Sequence, residues 1–233
     1  MKIALLGYGK MGQTIERIAL ERGHEIVLKK DEYNTYEGLS NADVAIDFSI
    51  PAVAVENISN CFYANVPVIS GTTGWLEHYD EMVALCKEKN GAFISSSNFS
   101  LGVNLFFGLN EYLAKMMSKF GSYSVEMEEI HHTQKLDAPS GTAISLAKGV
   151  IENSDYTNWT LEEAKENQIH IEAVRTENVP GTHTVTYNSE VDTIEIKHTA
   201  HNRDGFALGA VIAAEWIVGK HGIFTMKDVL ELK

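Results

Sequence analysis

The first hundred residues alternate between short apolar runs and longer amphipathic segments. The short runs are typical of buried strands and lie at Lys2 to Leu6, His24 to Leu28, Val44 to Phe48, Val66 to Ser70 and Ala92 to Ser95. Between them, apolar positions recur at helical spacing in Gln13 to Glu21, Pro51 to Tyr63 and Glu77 to Asn90. This alternation predicts a parallel sheet with right-handed crossovers.

The pattern changes after Asn98. A long amphipathic helix is predicted from about Val103 to Phe120, and we interpret its stripe of Met and aromatic residues as packing. An extended segment (Tyr123 to Ile130), a helix (Gly141 to Glu152) and a polar, acidic stretch (Ser154 to Asn167) follow. Three alternating segments then predict a largely open sheet, at Ile169 to Arg175, Thr184 to Tyr187 and Thr193 to Lys197.

The apolar segment Phe206 to Gly219 is predicted to be a helix whose small residues suit packing back onto the first sheet. A discontinuous first domain follows, covering residues 1–101 and 203–233 and interrupted by a second domain at residues 102–202. We predict an α/β protein with a parallel-sheet domain and an α+β domain built on an open mixed sheet.

Composition and net charge exclude several classes of function. The 233 residues are 44% hydrophobic and 22% charged, close to the average of globular proteins. The net charge of −13 repels nucleic acid and anionic lipid, so we expect neither as a partner. Cys61 and Cys86 lie in predicted helices and are expected to be buried thiols. Neither a signal segment nor a run of about 18 apolar residues is evident, which favours a cytoplasmic protein without a membrane span.

The pattern G-x-G-x-x-G directly follows the first predicted strand and precedes the first predicted helix, at Gly7-Tyr8-Gly9-Lys10-Met11-Gly12. In that context the first glycine permits a tight turn, the second lets the backbone approach a pyrophosphate, and the third allows helix and strand to pack closely. The alternative is a glycine-rich turn without a ligand. The surrounding strands and helices favour dinucleotide binding, hence a Rossmann-type first domain.

Three further segments lie at the carboxyl ends of predicted strands, where parallel α/β sheets bind their ligands. The second strand ends in Lys29-Lys30-Asp31-Glu32, which contains both an acid suited to the ribose of NAD and cations suited to the phosphate of NADP. Lys29 or Lys30 slightly favours NADPH over NADH, but the choice stays open. The loops after the fourth and fifth strands, Gly71-Thr72-Thr73-Gly74 and Ser96-Ser97-Asn98-Phe99, are also candidate cofactor contacts.

The most distinctive segment runs from Glu129 to Ala143 and contains His131-His132, Lys135 and Pro139-Ser140-Gly141-Thr142. Adjacent residues of a strand point to opposite sides, so the two imidazoles are expected to diverge. The histidines and lysine can donate protons or offset carboxylate charge. Ser140 is a good N-cap, and the helix start at Gly141 and Thr142 can hold an anion. We predict no metal, because the usual spacing of a third ligand is missing.

The sequence resembles the dihydrodipicolinate reductases of the diaminopimelate and lysine pathway. The motifs that carry the resemblance are the glycine loop, Asp47-Phe48-Ser49, Gly71-Thr72-Thr73-Gly74, Ser97-Asn98-Phe99-Ser100, the Glu129 to Ala143 segment, Gly181-x-His183-x-Val185 and the stretch from His198 to Ala210. They span nearly the whole chain. The resemblance implies NADPH- or NADH-dependent reduction of a cyclic conjugated imine with two carboxylates. It also implies a middle domain that binds substrate and assembles a homotetramer through its open sheet.

By position in the family's motif, His131 corresponds to a proton donor or acceptor, Lys135 to a second proton donor and His132 to a substrate ligand. Gly141 and Thr142 correspond to a cradle for a substrate carboxylate. The chain is short between Lys30 and Asp43 compared with many relatives, which leaves the adenosine contacts open.

Two other functions compete with this interpretation. A semialdehyde dehydrogenase or another amino-acid dehydrogenase would share the two-domain plan, but the thioacyl chemistry of the former needs a cysteine in a strand-end loop, where none occurs. A redox-sensing regulator would bind the dinucleotide without turnover, and would leave the His131 to Thr142 segment unexplained.

Overall fold

The computed structural model describes residues 1–232, which form two compact units. One comprises Met1–Leu101 together with the segment that begins at Arg203, and the other comprises Gly102–Asn202. A parallel sheet in the first and a mixed sheet in the second confirm the predicted fold class. In the described part of the chain, no helix has the length and apolar character needed to cross a membrane.

The sheet of the first unit has six parallel strands, in the order β11-β5-β4-β3-β1-β2. The strands are β1 (Lys2–Leu6), β2 (Glu25–Lys30), β3 (Val44–Asp47), β4 (Val68–Ser70), β5 (Ala92–Ser95) and β11 (Gly222–Phe224). The helices of this unit are α1 (Lys10–Glu21), α2 (Pro51–Tyr63), α3 (Tyr79–Glu88), α6 (Asp204–Ile217) and α7 (Met226–Val229), with short 3-10 turns at Leu39–Asn41 and Leu76–His78. The sequence pattern predicted five of the six strands and overlooked β11 and α7.

Both faces of this sheet are buried. Alternate residues of β1 divide between two apolar cores, with Ile3 and Leu5 on one side and Ala4 and Leu6 on the other. Helix α6 packs into the first core, as predicted. Cys61 and Cys86 are free thiols buried in the second core, also as predicted, and burial raises the pKa of both.

The second unit is built on a five-stranded mixed sheet in the order β10-β9-β6-β8-β7. Its elements are α4 (Leu101–Met117), β6 (Ser124–His131), α5 (Gly141–Ile151), β7 (Asn158–Thr160), β8 (Gln168–Arg175), β9 (Gly181–Asn188) and β10 (Thr193–Ala200). Strand β6 is antiparallel to β9 and parallel to β8. Strand β7 lies inside the stretch that the sequence analysis described only as polar and acidic, and it pairs with the first three residues of β8.

The apolar residues of helix α4 lie in two stripes along its surface. Phe106, Leu113 and Met117 are buried against the mixed sheet, as the packing interpretation requires. The interpretation is wrong for the second stripe, since 41–63% of each side chain is exposed there, at Leu105, Leu109, Tyr112 and Met116. One helix face can contact the sheet at a time, so the second apolar stripe remains at the surface of the chain.

Candidate active site

The glycine loop between β1 and α1 has the geometry of a dinucleotide cradle. Gly7 has φ +99°, and a Cβ there would lie 2.2 Å from the carbonyl oxygen of Phe48. A Cβ on Gly12 would lie 2.2 Å from the carbonyl oxygen of Gly7, so helix and loop are in direct contact. At Gly9, in contrast, no atom of the described chain beyond Gly9 itself and its two adjoining residues lies within 4 Å of such a Cβ, which leaves room for a ligand. These residues therefore fit a bound pyrophosphate.

The side chains around this loop contact one another. Lys29, in β2, forms an ion pair with Glu16 of α1, and its ammonium lies 4.8 Å from the centre of the Tyr8 ring. The hydrogen bond from Lys29 lowers the pKa of Glu16. The ammonium of Lys30 lies 5.3 Å from the ring of Tyr36. Lys29 is thus placed beside the glycine loop, but its charge already has a carboxylate partner.

Behind the strand ends lies a buried carboxylate that the sequence analysis assigned no role. Asp47 is fully buried, which raises its pKa, while four side chains donate hydrogen bonds that favour its charged form. The donors are Ser49, Asn57, Ser70 and Thr72. The hydroxyl of Thr72 donates to Asp47 at 2.8 Å and accepts from the backbone N–H of Ser49 at 2.9 Å. A cofactor contact at Thr72 would therefore have to come from its backbone.

The other two strand-end loops are held by similarly local contacts. A Cβ on Gly71 would overlap the ring of Phe48 at 2.3 Å, so this loop needs glycine for packing. The Ser96 hydroxyl donates to the carbonyl of Asn98 at 2.9 Å. Phe99 is buried in the core, and its ring centre lies 5.8 Å from that of Phe48. The side chain of Phe99 is thus a packing group, and any cofactor contact there would come from the backbone.

In the second unit, the histidine pair lies where β6 ends. His131 is the last residue of the strand and is 7% exposed, whereas His132 is half-buried in the turn that follows. Nδ1 of His131 lies 2.6 Å from a carboxylate oxygen of Glu129, although the oxygen lies off the line of the ring N–H. A small ring rotation would complete that hydrogen bond, as often happens when an active site binds its ligand.

The loop after the histidines leads into the capped start of α5. Lys135 donates to the carboxylate of Asp137 at 2.8 Å and so lowers the pKa of that acid. The Ser140 hydroxyl accepts from the N–H of Ala143 at 3.2 Å, which confirms the predicted N-cap. The N–H of Ser140 itself donates to Glu129 at 3.1 Å.

The site also contains three residues to which the sequence analysis gave no role: Glu129, Arg175 and His183. The strand register brings them together, because Glu129 pairs with His183 on β9 and His131 pairs with Arg175 on β8. Arg175 donates to Glu129 at 2.9 Å. Burial acts to raise the pKa of Glu129, but contacts with His131, Ser140 and Arg175 together lower it to about 2. Glu129 is therefore ionised at neutral pH.

His183 is buried in its neutral form. It is 5% exposed, its ring centre lies 5.0 Å from that of His131, and its Nε2 lies 3.0 Å from the Ser140 hydroxyl. Burial, followed by the nearby charge of His131, lowers the pKa of His183 to about 4.

This shift predicts an acid-sensitive contribution to stability. Between the ordinary histidine pKa of 6.5 and the folded value of about 4, the unfolded chain binds the proton and the folded chain does not. The contribution of neutral His183 to the free energy of unfolding is therefore fully present above pH 6.5. It is lost as the pH falls towards about 4, and the loss is on the order of 3 kcal/mol. Replacing His183 with Gln should flatten the curve of unfolding free energy against pH in this window.

Urea unfolding at a series of pH values measures that curve. His78→Gln is the matched control, since His78 lies on the exposed side of a 3-10 turn in the other unit. The contribution of Glu129 falls at lower pH, between its ordinary 4.5 and about 2. Identical slopes for wild type and His183→Gln between pH 6.5 and 4 would contradict the prediction.

One candidate ligand set for a cation is also present. Ligand atoms of Glu129, His131 and His183 lie within 4.8 Å of one another. The spacing argument against a metal considered only the local segment and overlooked this convergence of neighbouring strands. The guanidinium of Arg175 on the same carboxylate opposes a cation electrostatically. The absence of a metal stays a prediction.

Family models match both halves of the chain. Residues 1–99 match the model described as dihydrodipicolinate reductase, N-terminus, and residues 102–230 match the model of its C-terminus. A solved structure of similar fold is titled dipicolinate-bound dihydrodipicolinate reductase from Paenisporosarcina sp. TG-14. It has a TM-score of 0.76, 23% sequence identity and coverage of 97% of both chains.

Curated relatives agree with these matches. A 4-hydroxy-tetrahydrodipicolinate reductase of Christiangramia forsetii is 59% identical over 233 residues, covering 99% of this chain and 98% of the relative. The enzyme of the same name from Staphylococcus carnosus is 35% identical, covering 98% of this chain and 99% of its own length. With both halves matched and a relative this similar along its whole length, the chain belongs to the dihydrodipicolinate reductases, oxidoreductases that use NAD(P)H to reduce a cyclic imine in lysine and diaminopimelate biosynthesis.

Proposed function

We propose that the His131 to Thr142 segment binds the dicarboxylate substrate and supplies the proton for its reduction. This proposal rests mainly on one observation. Of the backbone N–H groups at the start of α5, that of Ser140 is bonded to Glu129 and that of Ala143 to Ser140. In the described part of the chain, this leaves the N–H groups of Gly141 and Thr142 without a partner. A substrate carboxylate would satisfy both, at the positive end of the helix dipole.

The first unit, with its glycine loop, would hold the cofactor. The proposed contacts are Gly7, Tyr8, Gly9, Lys10, Met11, Gly12, Lys29, Lys30, Gly71, Thr72, Thr73, Ser96, Ser97, Asn98 and Phe99. A bound reduced nicotinamide supplies the hydride. The product also needs a proton, and His131 and Lys135 are the groups placed to hold it, while His132 binds the substrate. Lys135 and His132 additionally offset the substrate's negative charge locally, which a chain of net charge −13 does not do globally.

The helix cradle can be tested by removing a single N–H. The Paenisporosarcina relative binds dipicolinate, a planar dicarboxylate, according to its title. Gly141 is the first residue of α5, where proline is tolerated, and Ser140 already has the extended backbone (φ −66°, ψ 155°) that a following proline requires. Gly141→Pro should therefore keep the helix and weaken dipicolinate binding roughly 10- to 100-fold, the cost of one charge-assisted hydrogen bond.

Gly141→Ala is the matched control, because it retains the N–H and, beyond adjoining residues and the backbone of its own helix, no atom of residues 1–232 lies within 4 Å of its new Cβ. Isothermal titration of both variants with dipicolinate makes the comparison. Wild-type affinity in Gly141→Pro would show that this N–H does not hold a carboxylate.

The preference for NADPH over NADH is proposed to rest on Lys29 and Lys30. Lys29 is already paired with Glu16, so a phosphate at the ribose would have to share this cation with a carboxylate. Replacing both lysines with Ala should raise the KM for NADPH several-fold and leave that for NADH nearly unchanged. Steady-state kinetics with each cofactor measures the difference, and an equal rise for both cofactors would argue against these residues.

The chain is proposed to act as a cytoplasmic homotetramer. The mixed sheet supports the assembly, since one of its faces is not covered by α4 or α5 and forms an open groove lined by Glu126, Glu128, His170, Glu172, Thr184, Thr186, Glu195 and Lys197. Two free buried thiols suit a reducing compartment. Sedimentation equilibrium measures the mass in solution, and a monomer at assay concentrations would exclude the tetramer as the active form.

A further inference from the structure

The buried face of β6 carries a charge among apolar side chains. Val125, Met127, Glu129 and His131 alternate along this face, and Glu129 is completely buried. Burying a carboxylate is costly unless it is paired and hydrogen-bonded, whereas an apolar residue at this position would continue the core. The partners of Glu129 therefore indicate what the charge does.

Both carboxylate oxygens face groups of the proposed substrate segment. One oxygen accepts from the N–H of Ser140 at 3.1 Å and from the guanidinium of Arg175 at 2.9 Å. The other lies 2.6 Å from Nδ1 of His131. A single buried carboxylate thus contacts the proposed proton donor at one end of the loop and the helix cap at the other.

Arg175 connects that carboxylate to the middle of the loop. Its guanidinium donates to the carbonyl of Asp137 at 2.6 Å and, more weakly, to the carbonyl of Lys135 at 3.4 Å. A planar guanidinium can make these bonds and the ion pair at the same time, which a lysine ammonium cannot do in the same directions. The backbone that carries Lys135 is therefore attached to the strand that carries His131.

We propose that Glu129 and Arg175 are positioning residues for the reduction, which rests on the proposed roles of His131 and Lys135. Glu129 holds Nδ1–H and so orients the imidazole, so that Nε2 exchanges the proton with the substrate. Arg175 holds the loop so that the Lys135 side chain enters the same site. Gly181 keeps space beside Nε2, because a Cβ at this position would lie 3.0 Å from it.

The test compares Glu129→Gln and Arg175→Lys with a second Arg–Glu pair of the same chain. Arg22 and Glu215 form two hydrogen bonds, of 2.8 Å and 2.7 Å, in the first unit, so Arg22→Lys and Glu215→Gln are matched controls. Glu129→Gln should lower kcat on the order of 10- to 100-fold with unchanged NADPH affinity. The loss should appear in kcat and leave the KM for substrate near its wild-type value, since Glu129 is proposed to act on the imidazole and not on the substrate.

Arg175→Lys should also lower kcat, because the bonds to the loop carbonyls are lost although a cation remains beside Glu129. The controls should retain the wild-type kcat and KM. If Glu129→Gln does not fold, the test rests on the kcat of Arg175→Lys alone.

Three results would overturn the proposal. Wild-type kcat in both variants, with only a lower Tm, would show that the pair merely maintains the fold. Wild-type kcat in a folded Arg175→Lys variant would show that the arginine only maintains the fold. Loss of wild-type activity after chelator treatment would show that the cluster acts through a cation. A wild-type protein without reductase activity would instead reject the proposed function.

Discussion

Replacing His131 with Gln should lower kcat by a factor on the order of 10² or more while NADPH binds as before. Glutamine is close in size and can still donate to Glu129, but it cannot hold a proton for transfer at neutral pH. Lys135→Ala should have a similar effect on kcat, and it should also raise the KM for substrate, because the ammonium offsets carboxylate charge. Neither residue belongs to the unit that carries the glycine loop.

Stopped-flow or steady-state kinetics, together with NADPH binding followed by fluorescence, measures these quantities. Lys119→Ala serves as a control for loss of a surface lysine from the same unit. If both His131→Gln and Lys135→Ala turn over at the wild-type rate, neither residue is the acid. If only one is impaired, the proton comes from that residue.

Replacing Gly9 with Ala should weaken cofactor binding at least tenfold without loss of stability. Beyond its two adjoining residues, a methyl group at Gly9 meets no atom of the described chain within 4 Å, and it is compatible with the backbone there (φ −80°, ψ −159°). It would, however, occupy the space through which a pyrophosphate approaches the N–H groups of α1. A loss of cofactor affinity in this variant would therefore reflect contact of the methyl group with the ligand and not a loss of folding stability.

Gly12→Ala is the informative contrast, because its Cβ would lie 2.2 Å from the Gly7 carbonyl oxygen. This variant should lose both thermal stability and cofactor affinity. Thermal unfolding and NADPH titration of the two variants give the comparison. Unchanged NADPH affinity in Gly9→Ala would mean that the dinucleotide does not lie over this loop.

Most of the fold was readable from the sequence because each long element has its own periodicity. The elements that were overlooked are short. Strands β7 and β11 have three residues each, and β11 is defined by its pairing with β5. Strand β4 is equally short, but it ends a longer apolar run from Val66 to Ser70, whereas β7 and β11 are decided by pairing across the chain. Helix α4 shows the reverse difficulty, since its sequence has two apolar stripes and cannot indicate which of them the sheet covers.

The active-site network was only partly readable. The order of residues in the His131 to Thr142 segment predicted the Ser140 cap, which is a local interaction. Arg175 and His183 come from two other strands, and they reach Glu129 through the register of β6 with β8 and β9. A signal was nevertheless present in the sequence: Val125, Met127, Glu129 and His131 alternate on one face, so the acid stands where the pattern expects an apolar residue. Such a break in alternation marks a buried charge that needs partners.

The most direct test of the central claim is oxidation of reduced nicotinamide by the wild-type enzyme. The absorbance of NADPH, and separately of NADH, is followed while a synthase generates the dihydrodipicolinate-type substrate in the cuvette. We predict rapid oxidation that requires this substrate and is lost in His131→Gln. No substrate-dependent oxidation of either cofactor would contradict the account.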